Sequence, residues 1–431
     1  MLNRNSEIPL RLSPYSKGVP DALIDVPRER LASLSRSAVS AYAAYPVAVL
    51  KQSVLEKNRA WMRQYVEITG ASLAPHGKTS MSPELFEYLD HGATWGLTLA
   101  TWHQVRAARA HGVSRIILAN VVGSEYEADW YLDALRSDPS FDFYCYVDSM
   151  ASVEVLSRAA QRQPLDRPLK VLLELGYAGG RTGCRDDGDA INIARAVQDT
   201  GGCLTLAGVA GFEGLIPGAT PAQRLSDVTA FVERIRRIAK RCDRKSLFAG
   251  AEVVLSAGGS AFYDVVIRIL RDTELSRPTR VVTRSGCFLS HDVGMYEALY
   301  QHLRERDPLA PCIPGTLEPA LEVWGQVLSA PEPGWVIVNA GKRDFGTDAG
   351  PPTARFVIGA DNRIRPFPAG AEIVATSDQH AHLRVPPGHG VQVGDRVGFG
   401  VSHPCTTFDK WQAIYVVDDD YVIQDIVQTC F

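Results

Sequence analysis

Ala74-Pro75-His76-Gly77-Lys78-Thr79 closes a short apolar run, 71–74, that lies between two stretches with helical spacing. Read as a strand, the run sends Lys78 out from its C-terminal end, where α/β barrels carry their chemistry. An amine that is partly desolvated there has a lowered pKa and a free lone pair, so Lys78 is a candidate Schiff-base former. A solvated loop lysine is the plainer alternative. The rest of the chain decides between them.

Working outward, apolar strand-like runs recur near 71–76, 94–100, 115–121, 141–147, 169–175, 203–210, 251–256 and 280–283. Helical patterns fill the gaps near 82–90, 102–111, 124–136, 150–162, 188–199, 221–240 and 261–272. Eight strands separated by seven helices predict a TIM-like (β/α)8 barrel, with an open doubly wound sheet as the competing architecture. A β-type run at 45–50 and a helix at 54–68 precede the first strand, so the barrel is assigned to 45–284. Residues 1–44 read as an N-terminal arm with a helix-like stretch at 26–37.

Beyond residue 290 the texture changes. A helix at 294–306 and a Pro/Gly-rich passage at 308–319 lead into strand patterns at 318–328, 334–339, 354–358, 372–376, 396–401 and 414–417. Asp361-Asn362 and Asp418-Asp419-Asp420 are turn formers between such runs. Residues 285–431 are therefore a C-terminal β-domain.

The 431 residues are 45% hydrophobic and 22% charged, an ordinary globular composition. A net charge of −4 and a pI near 6.2 argue against nucleic acid as a partner. The absence of an apolar run long enough for a signal peptide or membrane span argues against a membrane location. Eight cysteines without a CxxC pair point to reduced thiols, so a cytoplasmic enzyme is expected.

The expected barrel mouth collects Lys78, Arg181, Phe212, Glu213 and the run Ser256-Ala257-Gly258-Gly259-Ser260. That run follows the seventh strand, where many barrels bind phosphate. Gly258 and Gly259 let backbone N–H groups approach an anion, and Ser256 and Ser260 add hydroxyls. The plainer reading is a βα turn with Ser260 as an N-cap. An amine and a phosphate cradle together suggest pyridoxal 5′-phosphate, which needs one for its aldehyde and the other for its tail. Arg181, in Gly179-Gly180-Arg181-Thr182-Gly183, is a candidate for the ring's phenolic oxygen or a substrate carboxylate. His76, two residues before Lys78, is a candidate for packing on the ring.

A second candidate site is Ser402-His403-Pro404-Cys405-Thr406-Thr407. His403 and Cys405 point the same way on extended backbone, and imidazole plus thiolate favours zinc. His380, His382 and His389 are further candidate ligands.

With these residues in hand, the chain resembles the D-threonine aldolase and D-serine dehydratase family of fold-type-III pyridoxal phosphate enzymes, which join an alanine-racemase-like barrel to a β-domain. The Pro75-His76-Gly77-Lys78-Thr79 run resembles the family's Schiff-base lysine motif. The runs Gly394-Asp395-Arg396-Val397 and His403-Pro404-Cys405-Thr406-Thr407 resemble its dehydratase domain and metal pair. The spelling around Gly341-Lys342-Arg343-Asp344 is similar to bacterial D-serine deaminase-like proteins.

The departures are Ser80-Met81 after the lysine motif, Phe212 near an expected Tyr, and a loose match at Arg284-Ser285-Gly286-Cys287. The resemblance implies a homodimer that eliminates water from a D-3-hydroxy amino acid such as D-serine or D-threonine. Lys78 would be both cofactor anchor and Cα base, with zinc at His403 and Cys405 and manganese as the harder alternative metal. Retro-aldol cleavage to glycine and an aldehyde is the main alternative, ahead of a racemase or a non-catalytic pyridoxal phosphate carrier.

Overall fold

The computed structural model describes residues 10–90 and 94–431, which fall into two compact units. The first, residues 63–78 and 94–286, is the barrel. The second comprises 10–62, 79–89 and 287–431.

The strands run in chain order from β1 (Val47–Lys51) through β2 (Ser72–Leu73), β3 (Leu97–Leu99), β4 (Arg115–Val121), β5 (Asp142–Val147) and β6 (Leu169–Leu175) to β7 (Leu204–Gly211), β8 (Val253–Ser256) and β9 (Thr279–Thr283). Strands β2 to β9 form one parallel sheet in the order β2-β9-β8-β7-β6-β5-β4-β3. Parallel bridges Leu73–Thr94 and His76–Thr98 join its two ends, so the eight-stranded barrel is closed. That excludes the open doubly wound sheet.

Such strands are buried on both faces, which is why β6, Leu-Lys-Val-Leu-Leu-Glu-Leu, is almost wholly apolar. Ala74, Trp95, Ile117, Tyr144, Leu172, Ala210 and Val254 fill the interior. Gly208 has no room for a side chain, because a Cβ there would meet the Val254 backbone. The helices begin where their sequences cap them. Thr101 accepts from Gln104 N, Ser149 makes a reciprocal box with Ser152, and Thr220 accepts from Gln223 N ahead of Pro221.

The second unit corrects two expectations. The run 45–50, assigned to the barrel, becomes β1. It pairs antiparallel with β10 (Leu321–Glu332) and parallel with Ala413–Val417. The stretch 26–37 is not a regular helix but carries two single 3-10 turns, Arg28–Arg30 and Ala32–Leu34, after a third at Asp21–Leu23. Leu23, Leu31, Ala38 and Val39 from this arm pack with Val47, Trp324, Tyr415 and Ile426 into the unit's core.

Trp324 stacks on Phe356 at 6.3 Å and meets Tyr421 edge-on at 5.3 Å, while buried Glu322 accepts from both Trp324 Nε1 and the Tyr421 hydroxyl. Full burial of side chains this large contributes roughly 2–3 kcal/mol each. The expected strands at 354–358, 372–376, 396–401 and 414–417 are present within a residue or so, and Asn362, with φ 57°, turns the chain from the first of them into Ile364–Pro366. Three further strands, Ile364–Pro366, Ala381–Arg384 and Ile423–Gln428, went unread. Among the described residues no helix is long and apolar enough to cross a membrane, and no cysteine is in a disulfide.

Candidate active site

Lys78 does not sit on a strand end as expected. The strand stops at Leu73, and the lysine projects from a single 3-10 turn, Gly77–Thr79, after the His76–Thr98 bridge. It lines a cavity of about 250 Å³ together with His76, Asn120, Tyr146, Glu174, Arg181, Phe212 and Arg284. Phe212 forms a wall of this cavity, with the Arg181 guanidinium 4.8 Å over its ring.

Glu174, Tyr146, Asn120 and Arg284 line the cavity without having been read from the sequence as site residues. Glu174 lies in the apolar run of β6 and is 5% exposed. A charged residue inside a strand buried on both faces was the available signal. Thr182 donates to its Oε1 at 3.0 Å. The loop that carries Thr182 is fixed by Cys184 N to Glu174 O at 2.8 Å and Gly183 N to Asp148 at 3.0 Å. Burial, with the Asp148 charge adding to it, raises the Glu174 carboxyl to about 7 against the pull of Thr182, Arg284 and Arg181. Burial, together with the charges of Lys78, Arg284 and Arg181, holds His76 well below the usual imidazole range, so it is neutral. Burial raises the Tyr146 phenol to about 12.

Glu174 Oε2, the Tyr146 hydroxyl and His76 Nδ1 are buried without a hydrogen-bond partner among the described residues. Buried polar atoms are rarely left unpaired, and three around one cavity fit a ligand rich in polar groups. Three cations, Lys78, Arg181 and Arg284, give that cavity an excess of positive charge that suits an anion. The residues present therefore fit pyridoxal phosphate.

The phosphate cradle requires correction. Gly258 N and Gly259 N donate to the two oxygens of Glu213, at 2.9 and 3.0 Å, and Glu213 is fully buried. Glu213 thus satisfies the nest that was expected to hold phosphate. Ser256 Oγ donates to Val282 O and accepts from Arg284 Nη1, so its hydroxyl is also engaged inside the protein. The helix starts at Tyr263 rather than 261, and Ser260 does not cap it. Of the run, Gly259 lines the cavity.

A second cluster lies within the β-domain unit. His403 Nδ1 is 2.6 Å from Asp348 Oδ2, and Thr406 donates to the other Asp348 oxygen at 2.6 Å. This leaves Nε2 as the atom that His403 could offer to a metal, in the carboxylate–histidine arrangement common at metal sites. Cys405 opens the short helix Cys405–Phe408. Its Sγ is 3.6 Å from Cys287 Sγ and 3.5 Å from Thr79 Oγ1.

The hydrogen bond with Cys405 lowers the Cys287 thiol to about 6, helped by Tyr296 and Thr79 and opposed by burial. Burial and the neighbouring Cys287 and Cys405 push the Tyr296 phenol up. His382 and His389 have local partners, Ser377 Oγ and Val391 N. Among the described residues no three His, Cys, Asp or Glu side chains form a ready-made metal group, so the extra histidines do not join the pair. His403 and Cys405 offer two donors whose chemistry suits a borderline-soft metal.

A barrel mouth with a lysine, three partnerless polar groups and surplus positive charge, on a chain that continues into a β-domain, defines a pyridoxal phosphate enzyme of the alanine-racemase architecture. Residues 51–266 match the family model described as "Alanine racemase, N-terminal domain", and residues 320–417 match the "Putative serine dehydratase domain". The chain is 26% identical to the D-threonine aldolase of Arthrobacter sp. over 384 residues, 88% of this chain and 90% of that one. It is 27% identical to the D-threo-3-hydroxyaspartate dehydratase of Delftia sp. (strain HT23) over 169 residues, 38% and 43% of the two chains. The crystal structure of D-threonine aldolase from Filomicrobium marinum superposes with a TM-score of 0.72 at 18% identity, covering 90% of this chain and 96% of that one. A cysteine-to-alanine variant of a D-threo-3-hydroxyaspartate dehydratase, in the metal-free form, superposes with a TM-score of 0.68 at 20% identity, covering 90% and 98%. The chain belongs to the fold-type-III, alanine-racemase-like family, and it is a pyridoxal phosphate-dependent lyase.

Proposed function

We propose that the chain eliminates water from a D-3-hydroxy amino acid such as D-serine or D-threonine, giving a 2-oxo acid and ammonia. Pyridoxal phosphate held at Lys78 supplies an electron sink for the negative charge left at Cα. Lys78 would hold the cofactor, and its Nζ would also be the group to accept the Cα proton. His76 stays neutral beside it and so adds no positive charge that would lower the basicity of the Lys78 amine. Arg181, an exposed cation at the cavity, is the candidate for the substrate carboxylate. His403 and Cys405 would hold a metal whose Lewis acidity would help the β-hydroxyl depart, and the enamine product would hydrolyse in water.

The observation that carries elimination over cleavage is the sulfur at position 405. A thiolate beside an imidazole favours zinc, whereas a carboxylate there would favour a harder metal such as manganese. Retro-aldol cleavage is the second reading. The similarity to the Arthrobacter D-threonine aldolase favours it, because that match spans far more of the chain than the match to the Delftia dehydratase. In this reading the protein works in the cytoplasm as a homodimer, which light scattering on the purified protein checks.

Incubation with D-serine, D-threonine and D-3-hydroxyaspartate, with assays for 2-oxo acid and for glycine, separates the two reactions. Glycine with an aldehyde would replace elimination by the aldol reading. No turnover of any D-amino acid would leave a carrier. Lys78→Ala should lose the visible absorbance of the bound cofactor.

A further inference from the structure

We infer that Arg185 is a positioning residue for Arg181: its guanidinium binds the backbone of the loop that presents Arg181 to the cavity, and so sets where that cation meets an anion. The inference rests on the reading that Arg181 holds the substrate carboxylate, and deepens it. Arg185 lies just past the glycine-rich run 179–183. Its Nη2 donates to Gly180 O at 2.8 Å and to Arg181 O at 2.7 Å. Its Nη1 donates to Thr182 O at 2.6 Å and also to Gly183 O. Four consecutive carbonyls thus turn their negative ends toward one cation, an arrangement that their mutual repulsion would open without it.

The loop has a shape that needs such a clamp. Gly179 and Gly183 take φ of 75° and 94°, and a Cβ at Gly183 would stand 2.5 Å from Gly176 N, so the run folds back on the end of β6. Arg185 is itself anchored. Arg234, from the helix Pro221–Arg244, donates to Arg185 O at 2.8 Å and to Gly176 O at 2.6 Å, and pairs with Asp187 at 2.7 Å. The Arg181 guanidinium lies 4.8 Å over the Phe212 ring, and among the described residues it has no hydrogen-bond or ion-pair partner. A cation over a ring is held near it without its N–H groups being aimed, so the aim of Arg181 follows from its backbone. The same four bonds would also serve a clamp that only stabilises the loop, so the test has to read the aim of Arg181.

D-Alanine, which has no β-hydroxyl to lose, and D-alaninamide, which has no carboxylate, are titrated into the cofactor-loaded protein. The change in the cofactor's visible band gives a Kd for each without turnover. Arg181→Ala should weaken D-alanine about 10–100-fold, the worth of a charge-assisted bond, and leave D-alaninamide unchanged. Arg185→Lys keeps the charge but offers donors from one point in place of a planar fork, and should repeat that pattern at about tenfold. The double variant should bind D-alanine as Arg181→Ala alone does, because Arg185 acts only through Arg181. Unweakened D-alanine binding in Arg185→Lys, equal losses for both ligands, or additive losses in the double variant would overturn the inference while the Arg181 reading stands. Unchanged D-alanine binding in Arg181→Ala would overturn both. Arg185→Gln, read the same way, serves where Arg185→Lys does not fold, and loss of the fold in both would make Arg185 structural and end the inference.

Discussion

His403 Nδ1 and Asp348 Oδ2 lie 2.6 Å apart, and Thr406 holds the other Asp348 oxygen at the same distance. Burial pushes the Asp348 carboxyl up, but the bonds from Thr406 and His403 outweigh it and hold the group below its usual range. The carboxylate therefore stays charged, holds the proton on Nδ1 and leaves Nε2 as the ring's other nitrogen for a ligand. Asp348→Asn should weaken zinc binding about 10–100-fold in competition with a chromophoric chelator, with no comparable change in thermal midpoint. Equal affinity in the two proteins would show that the imidazole is oriented by something else.

Glu174 makes the barrel's stability fall with rising pH. Its carboxyl titrates near 4.5 when unfolded and near about 7 in the fold, so between those values the unfolded chain loses a proton that the native protein keeps. Stability contributed by the neutral form is complete below 4.5, declines across that window and is gone above about 7. At 1.36 kcal/mol per pH unit the loss is on the order of 3 kcal/mol. Urea midpoints of the cofactor-free protein from pH 4.5 to 8 should fall more steeply than those of Glu174→Gln. Parallel curves would remove Glu174 as the cause.

These two sites were legible to different degrees. The barrel could be read because parallel strands buried on both faces leave continuous apolar runs, with β4 and β6 matching the expected limits to the residue. Strand β1 has the same texture, but its partners are Leu321–Glu332 and Ala413–Val417, and nothing local marks a pairing over more than 270 residues. Lys78 was visible through its neighbours. The Gly258-Gly259 nest was visible too, but not that Glu213, 45 residues earlier, would fill it. Cys287 was visible only as the end of the loosely matched Arg284-Ser285-Gly286-Cys287 run, and only folding brings its sulfur to Cys405.

Arg284 tests whether the cavity's positive charge depends on fork geometry. It is buried, donating from Nη1 to Ser256 Oγ at 2.5 Å and from Nη2 to Gly211 O at 2.6 Å. Lysine would keep the charge but cannot reach both acceptors from one planar group. Loss of one charge-assisted bond costs about 2 kcal/mol, so Arg284→Lys should lower the urea midpoint accordingly. It should also weaken cofactor binding about tenfold, through the displaced charge, in an absorbance titration. Unchanged stability and affinity would show that the charge alone suffices.

Gly286 bears on Lys78 through backbone rather than charge. A Cβ at 286 would lie 2.8 Å from His76 N and 2.9 Å from His76 Cβ, and closer still to the His76 carbonyl oxygen. Backbone atoms cannot swing aside as a flexible side chain would, so the segment from His76 to the Gly77–Thr79 turn must move instead. Displacing a reacting amine by about 1 Å can cost on the order of 100-fold in rate. Gly286→Ala should therefore lose most of the visible band of the bound cofactor, together with about 1–3 kcal/mol of stability from overpacking. Gly123→Ala is the control, since nothing lies within 4 Å of a Cβ at that position. If Gly286→Ala binds cofactor as tightly as the control and melts with it, the close approach of His76 does not position Lys78.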